Sequence, residues 1–240
     1  MANAPAWLTA KPFAHRGLHD GNDQVPENSL AAARLAIAGG YGIECDLQLS
    51  SDGVPFVFHD DELARLTGAG GDVRALDAAA IGALRLIGGE PVPTLAEFLR
   101  LVGGRVPLLI ELKGRSAAAD ATFAAAVARD LEGYEGAAAL MSFAPHLVTA
   151  CRNTFGKRPV GLTAEGQSDD ELAEHRRLAA ASLDFVSYDH RHLPNALTRS
   201  LRQDGIPVLS WTIRSAEEAH RALAYCDQIT FEGFTPSRAG

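Results

Sequence analysis

Short apolar runs rich in β-branched and aromatic residues alternate along this chain with Ala/Leu-rich stretches, the pattern of repeated βα units. Eight strands follow from it, over residues 12–15, 43–47, 107–112, 138–142, 159–162, 185–187, 207–211 and 228–231. Each is short and mostly apolar, as a strand buried on both faces must be. Helix signals fall between them. Asn28 or Ser29 caps a helix over 30–38, Thr94 opens TLAEFLRLV with Glu97 at capping-box spacing, and Ser168 precedes DDELAEHRRLAAA. Further helices are expected after Ser116, Pro145, Pro194 and Ser215. No fixed-period repeat is visible, which excludes a solenoid.

One segment breaks the alternation. After His59, residues 61–93 intervene before the next helix–strand pair, and their Thr67-Gly-Ala-Gly-Gly71 run reads as a flexible loop because no Gly-Lys-Ser/Thr follows it. The expectation is an α/β fold, a TIM-type (β/α)8 barrel formed as one domain by residues 1–240, with 61–93 inserted on its rim after the second strand region.

Composition narrows the chemistry. With 240 residues and 47% hydrophobic content the chain can fill a barrel core. A formal charge of −8 argues against a broad basic surface for nucleic acid, although a local Arg or Lys still suffices for one phosphate. Cys45, Cys151 and Cys226 have neither disulfide-framework nor metal-type spacing and read as small core residues in a reducing compartment. The segment MANAPAWLTAKP lacks a basic then apolar leader pattern, and no apolar run reaches membrane length. A soluble cytoplasmic protein without stable membrane insertion is expected, with its oligomeric state open.

Candidate chemistry gathers where strands run out: His15 in FAHRG, Glu44 and Asp46 in IECDLQ, His59 in VPFVFHD and Glu111 in LLIELKG. The catalytic face of a parallel barrel lies at the strand C-termini. Glu44 and Asp46 are two apart, so both project to one face while Cys45 projects to the other. Two carboxylates on one face need a cation, and oxygen donors without thiolates suit Mg²⁺ or Ca²⁺ better than zinc. The histidines are then free for proton transfer. Gly17 lets the chain turn tightly after Arg16, leaving a guanidinium fork for a phosphate, for Glu27, or for both. Glu111 and Lys113 share a face and would form an ion pair on their own. Asn28 reads as a cap or a site residue, and Glu27 as a direct or an indirect contact. Trp211 reads as a pocket wall, a stacking surface or core packing. Tyr188 and Asp189 close another strand and are weak candidates for alcohol recognition, while His19, His190 and His192 read as surface or loop histidines.

The order HRG, PENS, ECD, HD and ELK, with Trp211-Thr212 near the end, resembles the glycerophosphodiester phosphodiesterase family from about Phe13 to Phe234. The resemblance implies a TIM-type barrel that uses a divalent metal to cut glycerophosphodiesters into glycerol 3-phosphate and an alcohol. It further implies Glu111 as a third metal ligand beside Glu44 and Asp46, Lys113 as a phosphate contact with Arg16, His15 as base and His59 as acid. Where the family often shows Ile-Thr-Asp, this chain has Ile229-Thr230-Phe231-Glu232, which puts an acidic role at that strand end in doubt and leaves Glu232 as a substitute. Two rivals stand beside this reading: a lysophospholipase D-like enzyme of the same superfamily, although no basic amphipathic helix is apparent, and a phosphodiester-binding barrel without turnover, which should have lost one of these groups.

Overall fold

Alternation along the strands sorts their side chains into two apolar environments. A computed structural model describes residues 4–180 and 183–236. In chain order its elements are α1 (Trp7–Ala10), β1 (Phe13–Ala14), α2 (Leu30–Gly39), β2 (Gly42–Leu49), β3 (Pro55–Val57), α3 (Ala64–Thr67), α4 (Ala78–Ala83), α5 (Leu95–Val102), β4 (Leu108–Leu112), α6 (Phe123–Asp130), β5 (Ala138–Ser142), α7 (Pro145–Thr154), β6 (Val160–Ala164), α8 (Asp169–Ala180), β7 (Phe185–Asp189), α9 (Ala196–Gln203), β8 (Val208–Ile213), α10 (Ala216–Leu223) and β9 (Gln228–Phe231). Ala181, expected in α8, lies outside the described residues, as do 1–3 and 237–240.

Eight strands pair in parallel in the order β1-β9-β8-β7-β6-β5-β4-β2, and β1 pairs back onto β2 to close the barrel. The exception is β3, which runs antiparallel to the end of β2 with Leu47 opposite Val57 and Leu49 opposite Pro55. Two expectations change as a result. The strand expected at 43–47 continues to Leu49 because the hairpin gives its last residues a partner, so Glu44 and Asp46 lie within β2 rather than at its end. His59 arrives from this hairpin and not from a barrel strand.

Outward-facing residues such as Ile43, Cys45, Leu47, Ile110, Leu140, Leu162, Val186 and Tyr188 join one large core with the helices. Inward-facing Phe13, Leu109, Ala139, Met141, Phe185 and Leu209 form a separate cluster with Leu8 of α1. This helix was not anticipated; it packs under the barrel, and Gln228 Nε2 donates to Thr9 O at 2.9 Å beside it. The interior is thus apolar at its base and turns polar above, at Glu44, Asp46, Glu111, Thr163, Ser187 and Thr230, all buried.

Local chemistry explains the helix starts. Ser29, not Asn28, caps α2 by accepting from Ala32 N, and Thr94 with Glu97 forms the expected capping box of α5. Ser116 opens only a turn, and α6 starts later at Phe123. Between β3 and α5, the helices α3 and α4 cover a small core of their own made by Phe56, Phe58, Leu63, Leu66, Val73, Ile81, Leu86 and Val92. The glycine-rich run therefore follows an ordered turn of helix, with Gly68 capping α3 at φ 71°.

Interior filling depends on a close approach at Gly161, where a Cβ would meet the buried Phe185 ring at 2.5 Å. Gly161→Ala should therefore destabilise the chain by about 1–3 kcal/mol, the usual cost of overpacking. Urea melts would show this as a lower midpoint at unchanged slope, and an unchanged midpoint would contradict the packing described.

Candidate active site

At the polar mouth of the barrel, His15, Arg16, Glu44, Asp46, His59, Glu111, Lys113 and Trp211 line one cavity of about 190 Å³. A larger furrow of about 670 Å³ lies at the opposite end, between the loops that follow α5 and α6; it carries Asp130, Glu132 and Glu135 but no histidine. The chemistry belongs to the smaller cavity.

Register explains why the carboxylates meet. Asp46 on β2 stands beside Glu111 on β4, and Glu44 lies one inward position below Asp46. One oxygen from each of Glu44, Asp46 and Glu111 can be chosen so that all lie within 4.8 Å of one another. Two cations partly offset this charge. Lys113 Nζ is 2.6 Å from Glu111 Oε1 and 3.3 Å from Asp46 Oδ1, and Arg16 Nε is 3.3 Å from Asp46 Oδ2. Among the described residues Glu44 makes no ion pair; it accepts the Arg16 backbone N–H at 3.0 Å. Burial, then the charges of Asp46 and Glu111, push the Glu44 carboxyl well above its ordinary range. Burial would do the same to Asp46, but Lys113 and Arg16 hold it below the ordinary range. Three buried carboxylates facing two cations, with one of the three unpaired, fit a further hard cation bound through oxygen.

Asn28 clamps Asp46 from both sides, donating Nδ2–H to Oδ2 at 2.9 Å and accepting from Asp46 N at 3.2 Å. Arg16 and Asn28 both adopt left-handed backbone, with φ 54° and 55°. Such positions are uncommon outside glycine and are held here by surrounding hydrogen bonds, among them Asn28 N–H to Arg16 O at 2.8 Å. Glu27 does not reach the carboxylate cluster. It accepts from Arg16 Nη1 at 2.6 Å, from Asn22 Nδ2 at 2.8 Å and from both terminal nitrogens of Arg65 at 2.8 and 2.7 Å. Burial alone would raise its pKa, yet these donors, Arg65 foremost, bring it down to about 2.

Each cavity histidine has a carboxylate on Nδ1. His59 pairs with Asp60 at 2.8 Å, and Arg65 of α3 grips that carboxylate through Nε at 2.6 Å. His15 pairs with Glu232 at 2.5 Å, across 217 residues of sequence. Trp211 donates Nε1–H to Ser187 O at 3.1 Å and meets Phe143 edge-on, with ring centroids 5.5 Å apart.

Several expectations are corrected. Tyr188 points outward into the helix layer, where its hydroxyl donates to Gly166 O at 2.7 Å, and Asp189 is bound by Arg191, so neither faces the cavity. His19 is not a free surface residue: its buried Nε2 lies 3.6 Å from Glu232 Oε2. His192 is half-buried and accepts Gly166 N–H at 2.9 Å. Arg65, Phe143 and Arg214 join the site beyond the residues expected from the sequence. Phe143 follows β5 directly, so strand-end position would have found it; the two arginines act through partners remote in sequence.

A parallel barrel with two histidines, two cations and three carboxylates gathered at its C-terminal mouth has the build of a TIM-barrel enzyme. Residues 15–226 match the model of the glycerophosphoryl diester phosphodiesterase family. The chain is 32% identical over 273 aligned residues to glycerophosphodiester phosphodiesterase 1 of Mus musculus, covering 93% of this chain and 79% of that one. Its fold is similar to that of an Oleispira antarctica phosphodiesterase solved in complex with the product sn-glycerol-3-phosphate (TM-score 0.82, 22% identity, 94% of each chain). A glycerophosphodiester phosphodiesterase from Parabacteroides distasonis shares it as well (TM-score 0.79, 21% identity, 93% of this chain and 92% of that one). The chain belongs to the glycerophosphoryl diester phosphodiesterase family and is a phosphoric diester hydrolase.

The Glu27 hub yields a stability prediction. Its folded pKa of about 2 lies below the ordinary 4.5, so its stabilisation is complete above pH 4.5 and is lost as pH falls toward 2. Glu27→Gln should cost about 3 kcal/mol at pH 7, with the gap to wild type narrowing toward pH 2. Denaturant titrations at several pH values test this; a gap that stays constant with pH would show that the carboxylate charge is not what matters.

Proposed function

We propose that this phosphodiesterase cleaves deacylated glycerophosphodiesters, such as glycerophosphocholine and glycerophosphoethanolamine, to glycerol 3-phosphate and the free alcohol by histidine acid/base chemistry. The observation that carries the reading is the meeting of both histidines, Arg16 and Lys113 with the carboxylate trio in one cavity. The product recorded with the Oleispira antarctica relative supports the products named. Glu44, Asp46 and Glu111 would hold Mg²⁺ or Ca²⁺, which supplies charge that polarises the phosphate and offsets what develops on its oxygens. Arg16 and Lys113 bind the remaining phosphate oxygens. His15 takes the proton of the attacking oxygen. Burial lowers its pKa, against the opposing bond from Glu232, which favours the neutral ring that a base requires. His59 gives its proton to the leaving alcohol oxygen as the P–O bond breaks.

Residues 61–93 act in this reading as a rim insertion within a single barrel domain, and Arg65 ties it to both Glu27 and Asp60. Phosphate recognition carries no information on the alcohol, so head-group choice falls to this insertion and the late barrel loops. Choline and ethanolamine esters should then differ by about 1 kcal/mol or less in transition-state binding. Among the described residues no helix is long and apolar enough to cross a membrane. The three cysteines are free and buried, which supports a reducing, cytoplasmic setting.

Turnover of a glycerophosphodiester panel should vanish on exhaustive chelation and return with Mg²⁺, Ca²⁺ or Mn²⁺, with phosphorus NMR showing glycerol 3-phosphate. Full activity after chelation would remove the metal from the reading. Phosphocholine as product, or faster turnover of lysophosphatidylcholine than of glycerophosphocholine, would move the assignment to a phospholipase.

His15→Ala and His59→Ala should each lower kcat by roughly 10² to 10⁴ with little change in Tm. His190→Ala and His192→Ala should be near neutral, and equal losses across all four would mean the acid/base pair lies elsewhere.

A further inference from the structure

Glu232 stands just beyond β9, outside the residues that line the cavity, yet it is bound on every side. Its Oε2 is 2.5 Å from His15 Nδ1 and 3.6 Å from His19 Nε2, and its Oε1 accepts from Arg214 Nε at 2.8 Å. An ionised carboxylate can only accept hydrogen bonds, so the proton between Glu232 and His15 sits on Nδ1. The neutral ring then has a bare Nε2, the one nitrogen left for the cavity that His15 lines.

The same three side chains lie close enough to hold a cation, with one donor atom from each within 4.8 Å of the others. His19 argues against that use. Its Nδ1 accepts Gly21 N–H at 3.1 Å, which leaves the proton on Nε2. A metal on Nε2 would need the reverse tautomer. Arg214 adds a positive charge at the same carboxylate. His19 therefore aims a buried N–H, otherwise without a partner, toward Glu232.

We propose that Glu232 is the positioning residue of His15, fixing the Nδ1–H tautomer and ring orientation so that Nε2 serves as the base, while Arg214 and His19 hold the carboxylate in place. This inference rests on the reading of His15 as the base. When Nε2 takes a proton from the attacking oxygen, the imidazolium keeps its Nδ1 proton on Glu232, and the carboxylate stays ionised beside the new positive charge.

Two measurements on the full chain test it. Long-range ¹H–¹⁵N correlation of the histidine rings at neutral pH should show His15 with a protonated Nδ1 and a bare Nε2. The opposite tautomer would overturn the proposal whatever the activity. In Glu232→Gln, Arg214 favours the amide oxygen and turns the NH₂ toward His15, which forces the proton onto Nε2. kcat should fall roughly 10² to 10³-fold with KM within about twofold, and Glu232→Asp should recover part of the loss. A kcat within threefold of wild type in Glu232→Gln would also overturn it. Absence of wild-type turnover on every glycerophosphodiester would instead sink the functional reading, and the tautomer would still decide the role of Glu232.

Discussion

The constraint on which the rest of the structure depends is electrostatic: Glu44, Asp46 and Glu111 are buried inside the barrel, directly above an apolar floor. Burial leaves them little contact with bulk water, and unpaired buried charge is costly. Neighbouring groups are arranged around that cost. Lys113 follows β4 on the inward side and reaches two of the carboxylates, while Arg16 turns back from β1 through a left-handed residue to reach Asp46. Asn28 uses its own left-handed position to bond Asp46 twice. What remains is a deficit of positive charge concentrated at Glu44, which is the property a phosphodiesterase of this family can use to hold a cation against an anionic substrate.

A second tier of contacts ties the cavity histidines into a wider network of charged groups. Both histidines are held at Nδ1 by a carboxylate, and both carboxylates are held by an arginine: Asp60 by Arg65, Glu232 by Arg214. Arg65 also grips Glu27, which grips Arg16, so the insertion, the first loop and the carboxylate cluster form one connected network. On the far side Arg74 bonds Asp120 and the Lys113 carbonyl, and Arg115 bonds Asp72, joining the insertion to the loop after β4. The separate apolar core beneath α3 and α4 gives these arginines a firm base.

Much of the barrel was legible because buried parallel strands leave a simple mark, a short apolar run between helical stretches. The strands at 138–142 and 228–231 coincide with the observed ones, and the capping box at Thr94 is where its spacing places it. The cavity group was legible for a related reason: strand parity and strand-end position bring His15, Asp46 and Glu111 to one face. Parity would also have turned Tyr188 outward, since Ser187 before it faces in. What the pattern does not carry is pairing at long range. The contact of Glu232 with His15 spans 217 residues and that of Arg65 with Glu27 spans 38, and no periodicity marks either. The short apolar run before His59 reads as a strand end, but its antiparallel pairing onto the end of β2 is a contact that three residues of β3 do not mark.

The central claim is that the carboxylate trio binds one hard cation, and calorimetric titration of the chelator-treated chain with Mg²⁺ and with Ca²⁺ tests it most directly. The account predicts one cation per chain, with binding lost in Asp46→Asn while circular dichroism shows the barrel intact. No binding of either ion to the wild-type chain, or binding undiminished in Asp46→Asn, would contradict it.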